Sequence, residues 1–172
     1  VKAKVHGFFL NDRDLQFLYP KKESIQSLYA YSLRYYKIGK IKDALLSIQK
    51  CINLDKKNPY FYELKGQILF ENGMINKSIV AFRKAKELKP DEKSFNLFLA
   101  KSLYHSKQKE LRQESIKLLW SYIKDDDFPY DAWHYLGLNY GKLKKHDYSS
   151  YALAEKYLLV NELNNAKIHI QR

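Results

Sequence analysis

The sequence predicts an all-α fold, a solenoid of antiparallel helix pairs. Three observations carry this. First, a pattern recurs 34 residues on: "YYKIGKIKDALLSIQKCINLD" around Gly39 lies over "LFENGMINKSIVAFRKAKELK" around Gly73. Ile41 then matches Ile75, Leu45 matches Ile79, Ile48 matches Phe82, Lys50 matches Lys84 and Leu54 matches Leu88. Second, the 172 residues include only 6 Gly and 4 Pro, which favours long regular elements over a turn-rich sheet. Pro59, Pro90 and Pro129 fall between the units. Third, Ile79, Phe82, Ala85 and Leu88 recur every three residues, as along a buried helical stripe. A hydrophobic content of 45% argues against disorder and allows a real core.

Taken in order, the opening "VKAKVHGFFLNDRDLQFLYP" does not fit the repeat. A short helix near 1–7 and then a loop to Pro20 are expected, with 1–24 as the lead-in from an upstream domain. The first repeat spans 25–58, with Ser32, Ala44 and Cys51 in small slots; Cys51 reads as core, and a single cysteine excludes an internal disulfide. The second spans 59–92, with helices at 60–71 and 75–88. Gly73 ends the first of these, where a left-handed cap suits glycine, and Pro59 suits a helix's first turn. The third, 93–129, carries Leu99, Ala100 and Leu103 on its first helix. Its second helix, "ESIKLLWSYI", fits only after about three extra residues in "HSKQKELR". The fourth, 130–172, opens with Trp133, Leu136, Gly137 and Tyr140. Beyond it, Leu153, Ala154, Tyr157, Ala166 and Ile170 suggest a degenerate fifth pair that caps the stack.

This period and layout resemble the tetratricopeptide repeat (TPR). The resemblance implies about four repeats plus terminal capping helices. It explains Gly66 in mid-helix: the eighth position is small because the second helix crosses there, bringing the small residues Ser78 and Ala85. It also implies that the first helices of the pairs line a concave partner-binding groove. The corresponding residues are Tyr29, Leu33 and Tyr36 from the first repeat, then Glu63, Gln67 and Phe70. The third repeat gives Leu97, Lys101 and Tyr104, and the fourth His134 and Leu138. The carboxylate clamp of chaperone-binding TPR domains is absent: its positions hold Tyr29, Leu33, Ser94 and Phe98.

No catalytic motif accompanies these repeats. His6, His105, His134, His146 and His169 include no His-Glu-x-x-His and no other metal-ligand spacing. The acidic run at 125–127 lacks the spacing and glycine of a calcium loop. There is no P-loop, dinucleotide fingerprint or Gly-x-Ser-x-Gly. The chain itself is expected to be non-catalytic, without metal or cofactor. No apolar run is long enough to span a membrane. The formal charge of +12, beside 15 tyrosines, keeps a nucleic-acid-binding reading open. The lysines are spread over turns and second helices rather than forming one stripe, which disfavours it.

A narrower likeness exists. "NPYFYELKGQILFENG" at 58–73 is similar to a segment of the C-terminal TPR region of bacterial zinc metalloproteases of the BepA type. The opening "VKAKVHGF" and the close "SSYALAEKYLLVNELNNAKIHIQR" are similar to the limits of that region. The resemblance implies the substrate- or partner-binding part of a periplasmic protease of outer-membrane protein assembly and quality control. Its partners would be outer-membrane proteins or their assembly machinery. Zinc would be held only by a protease domain upstream of Val1. A free-standing TPR adaptor is the alternative.

Overall fold

The computed structural model describes residues 2–20, 23–124 and 126–171. Val1, from the expected first helix, and Asp125, from the acidic run, lie outside them. Among the described residues every regular element is a helix. The chain forms two compact units, 1–89 and 90–172.

The first unit holds α1 (Lys2–Phe9), α2 (Asp12–Leu18), α3 (Ile25–Lys37), α4 (Ile41–Leu54), α5 (Pro59–Glu71) and α6 (Ile75–Leu88). The second holds α7 (Ser94–His105), α8 (Leu111–Ile123), α9 (Tyr130–Lys142), α10 (His146–Leu159) and α11 (Leu163–Ile170). Helices pair as α3 with α4, α5 with α6, α7 with α8 and α9 with α10, and α11 closes on α10. The chain thus has the TPR-type arrangement of antiparallel helix pairs.

The expected loop between 8 and 20 is instead α2. Asn11 caps it, its Oδ1 accepting from the Asp14 amide at 2.9 Å. Asp12 and Asp14 favour the positive end of the helix. Leu15 anchors the segment, fully buried. Helix α1 packs on α3.

One turn design joins the helices of three pairs. Gly39 and Gly73 are left-handed, with φ of 78° and 72°. The Lys40 amide reaches Tyr35 O at 2.8 Å, and that of Met74 reaches Leu69 O at 2.9 Å. These bonds satisfy carbonyls that a helix end leaves open. The fourth pair repeats the turn without glycine: Lys144 takes φ 59°, and Lys145 N bonds to Tyr140 O at 3.0 Å. Asn161 does the same before α11, with φ 57°. The third pair departs. Its inserted residues replace the left-handed turn with a longer connection in which Ser106 caps α7 and its Oγ accepts from Gln108 N at 3.2 Å.

Where paired helices cross, both carry small residues. An added Cβ on Gly66 would stand 2.7 Å from the Phe82 ring, and one on Gly137 would stand 2.8 Å from Leu153. Phe82 fills this space in the second pair, alongside the fully buried Ser78 and Ala85. In three pairs a serine bonds across the crossing. Ser32 Oγ donates to Ala44 O at 2.9 Å, Ser115 Oγ to Ala100 O at 2.8 Å and Ser149 Oγ to Gly137 O at 2.9 Å. In the second pair Ser78 Oγ donates within α6, to Ile75 O at 2.8 Å.

Leu28, Ile48, Phe61, Leu64 and Ile68 centre the first core. Cys51 lies in it, and burial pushes its thiol pKa up to about 12, so it is a packing residue rather than a nucleophile. Ile116, Leu119, Trp133, Leu136 and Tyr140 centre the second core. Ile170, expected in a packing slot, is 68% exposed; α11 is anchored through buried Ala166 instead.

Two stability outcomes follow. Gly66→Ala gains about 1 kcal/mol of helix propensity but must displace a buried ring, at a cost of about 1–3 kcal/mol. Denaturant unfolding should therefore show a net loss of up to about 2 kcal/mol, and more for Gly66→Leu. Lys144→Gly should go the other way. It relieves about 1–2 kcal/mol of left-handed strain against about 0.5–1 kcal/mol of chain entropy. A small rise in melting temperature is the expected reading.

Candidate interaction surface

In the first unit, side chains from α3 and α5 meet beside the core. Tyr29 is half-buried, its ring 5.5 Å from that of Phe61. It lines a hollow of about 430 Å³ with Lys4 of α1, Gln26 and Tyr60. Burial, then Glu63, raises the Tyr29 hydroxyl pKa well above its usual value. The Tyr36 hydroxyl donates to a Glu71 carboxylate oxygen. Gln67 Nε2 donates to the other Glu71 oxygen at 3.0 Å. Glu63 and Phe70 are half-buried on the same helix.

Leu33 departs from expectation. It is 1% exposed and belongs to the core. Helix α1 covers this part of α3: an added Cβ on Gly7 would lie 2.3 Å from Ala30 O and 2.9 Å from the Leu33 Cβ. Lys37 ties down the end of α1 by donating to Phe8 O at 2.6 Å. Leu33 is therefore a packing residue, unavailable to a partner.

In the second unit three of the predicted residues of α7 and α9, Lys101, Tyr104 and His134, gather around Tyr135. Lys101 Nζ pairs with Asp131 at 2.7 Å and sits 5.3 Å from the Tyr135 ring centre. Tyr104 and His134 each meet that ring edge-on, at 5.5 Å. His105 Nε2 is 3.3 Å from the Tyr135 hydroxyl. Leu97 packs on the core and lines a hollow of about 300 Å³ with Tyr122, Phe128 and Tyr130. Sequence reasoning missed Tyr135. It stands at the repeat position of Ala30, Leu64 and Phe98, which carry no polar side-chain group.

His134 is half-buried, and its Nδ1 has no hydrogen-bond partner among the described residues. Burial lowers its pKa, as do Lys156 and Lys101, against an opposing pull from Asp131. Burial and Lys101 lower that of His105. Lys156, 8% exposed, lies over the Tyr157 ring at 4.0 Å. Among the described residues no cluster of three or more His, Cys, Asp or Glu side chains is placed to hold a metal ion. No described helix is long and apolar enough to cross a membrane.

A third hollow, of about 830 Å³, opens between α4, α5 and α6. None of the residues singled out for the groove lines it.

No family model and no curated protein sequence matches the chain. Solved structures do. YrrB, described as a TPR protein with an unusual peptide-binding site, superposes with a TM-score of 0.77 at 14% identity, over 94% of this chain and 84% of its own. A MamA RS-1 double mutant gives 0.73 at 17% identity, over 86% and 90%. MamA from Desulfovibrio magneticus RS-1 gives 0.70 at 16%, over 86% and 91%. At these identities the likeness is one of fold.

The histidines generate a pH test. Their folded pKa values lie below the ordinary value of about 6.5, so the unfolded chain binds the extra protons between the two. Stability from this source is complete above about pH 6.5 and is lost as pH falls through it toward the folded values. NMR titration should give His105 and His134 midpoints below about 6.5. The drop in melting temperature from about pH 7.5 to about pH 5.5 should be smaller in a His105→Gln/His134→Gln variant than in the wild type.

Proposed function

We propose that this chain is a non-catalytic TPR domain that holds a segment of a partner protein against the first helices of its pairs. The contacting residues would be Tyr29, Tyr36, Glu63, Gln67 and Phe70 in the first unit. In the second they would be Leu97, Lys101, Tyr104 and His134, with Tyr135 added. The observation that carries this is the half-buried aromatic and polar cluster on α7 and α9. Aromatic anchors beside paired charges are the groups that dominate protein recognition. The peptide-binding site ascribed to YrrB supports the same use of the fold.

We infer further that the domain serves a BepA-type zinc metalloprotease of the periplasm. The resemblance at 58–73, at the opening and at the close supports this. The protease domain would hold the zinc. Outer-membrane proteins or their assembly machinery would be the partners. A His-Glu-x-x-His motif in the reading frame before Val1 would support this placement. A frame without one would favour a free-standing adaptor.

Binding separates the readings. An unfolded outer-membrane protein should bind the chain, and Phe70→Ala or Tyr104→Ala should weaken it about tenfold, in line with loss of an interface anchor. Circular dichroism checks that each variant is folded. Lys50→Ala should alter only a weak salt-dependent part. Tight RNA binding that falls steeply with salt and ignores Phe70→Ala would replace this proposal with a nucleic-acid function.

A further inference from the structure

The hollow between α4, α5 and α6 has two walls of matching pattern. Lys42, Leu45, Leu46 and Gln49 line it from α4, and Lys77, Val80, Ala81 and Lys84 line it from α6. Both sets follow the spacing i, i+3, i+4, i+7, so each is one helix face over two turns. Leu69 and Met74 contribute to its apolar lining. Leu46 is 63% exposed and Val80 69%. Both aliphatic groups stand open to solvent within the lining of one hollow.

The charges around this apolar strip have one sign. Lys42, Lys65, Lys77 and Lys84 line it, and among the described residues no carboxylate does. Lys84 reaches Glu87, outside the lining, at 2.6 Å. Lys65 donates to the neutral Gln49 Oε1 at 2.7 Å. Burial, then the neighbouring Lys77, lowers the Lys65 pKa, and an incoming carboxylate would offset that repulsion. Lys77 and Lys84 stand two turns apart, about 10 Å along α6. Lys84 is already paired with Glu87, so Lys42, Lys65 and Lys77, one from each of three helices, are the cations that would meet an incoming charge. An acidic helix offers several carboxylates at set spacing beside its apolar side chains, whereas a single lipid headgroup offers one anion.

We propose that this groove docks an acidic amphipathic helix of a partner protein. Its aliphatic side chains rest on Leu46, Leu69 and Val80, and its carboxylates face Lys42, Lys65 and Lys77. An apolar floor between cationic rims is the complement of such a helix. The site uses none of the residues of the first-helix cluster, so it stands or falls separately from that surface.

The test uses the whole chain and a fluorescein-labelled synthetic helix. Its leucines follow the i, i+3, i+4, i+7 spacing and are flanked by glutamates. A second peptide carries lysine in place of every glutamate. The acidic peptide should bind and the basic one should not. Val80→Ser, at an exposed site, and Lys42→Glu/Lys77→Glu should each weaken the acidic peptide about tenfold or more. The charge-reversed variant should gain binding of the basic peptide, which also shows that it is folded. Phe70→Ala and Tyr104→Ala should leave all of this unchanged. Equal binding of both peptides, or acidic-peptide binding indifferent to Val80→Ser and the charge reversal, would overturn the proposal. So would displacement of the peptide by phosphatidylglycerol vesicles that bind more tightly, which would make the occupant a membrane. Self-association abolished by Val80→Ser would overturn it in favour of a second copy.

Discussion

The close crossing inside each helix pair is the constraint on which the rest depends. Helix axes can approach this nearly only where side chains are small, and the four first helices supply Ser32, Gly66, Ala100 and Gly137. Their partners supply Ala44, Ser78, Ser115 and Ser149. Gly66 and Gly137 leave no room for a Cβ, but at the serine positions shape alone would accept alanine. Serine adds a hydroxyl that needs a partner once buried, and the facing carbonyl provides it within 2.8–2.9 Å in three pairs. The hydrogen bond therefore favours one sliding position of the two helices over its neighbours. In the second unit this extends further: Asn139 Nδ2 donates to Ser115 Oγ at 3.0 Å, and Ser115 donates on to Ala100 O. A buried polar chain thus joins α9, α8 and α7, and couples the fourth pair to the third.

Much of this was legible in the sequence, for a physical reason. A repeat forces the same packing problem on each unit, so the small residues and the turn glycines recur at one spacing. The three-residue insertion lay between Ala100 and Ser115, where it could lengthen a turn without moving the crossing. What escaped was structure without periodicity. Helix α2 is 7 residues long, too short for an apolar stripe to declare itself, and only Asn11, Asp12 and Asp14 signalled its start. Lys144 and Asn161 take the left-handed turn that glycine marks elsewhere, because hydrogen bonds to Tyr140 O and Tyr157 O hold them there.

The surface was less legible than the fold. Repeat register says which residues leave the pair, not what else packs on them. Leu33 sits at an exposed-looking position, yet a helix from outside the repeat covers it. Tyr135 directly follows His134, which register selected, and it organises Lys101, Tyr104 and His134 by ring contacts that no spacing rule encodes. The groove between α4, α5 and α6 draws on three helices of two successive repeats, and emerges only when their turns are stacked.

The contact of Gly7 with the Ala30 carbonyl bears on how α1 can be used. Sliding α1 by one residue would bring the side chain of His6 or Phe8 onto that oxygen, where even a methyl group lacks room. Rotation about its axis meets the same obstacle. The helix is thus keyed to α3 in both phase and height, like a tooth in a ratchet. A tension or torque applied to α1 would be passed directly to α3.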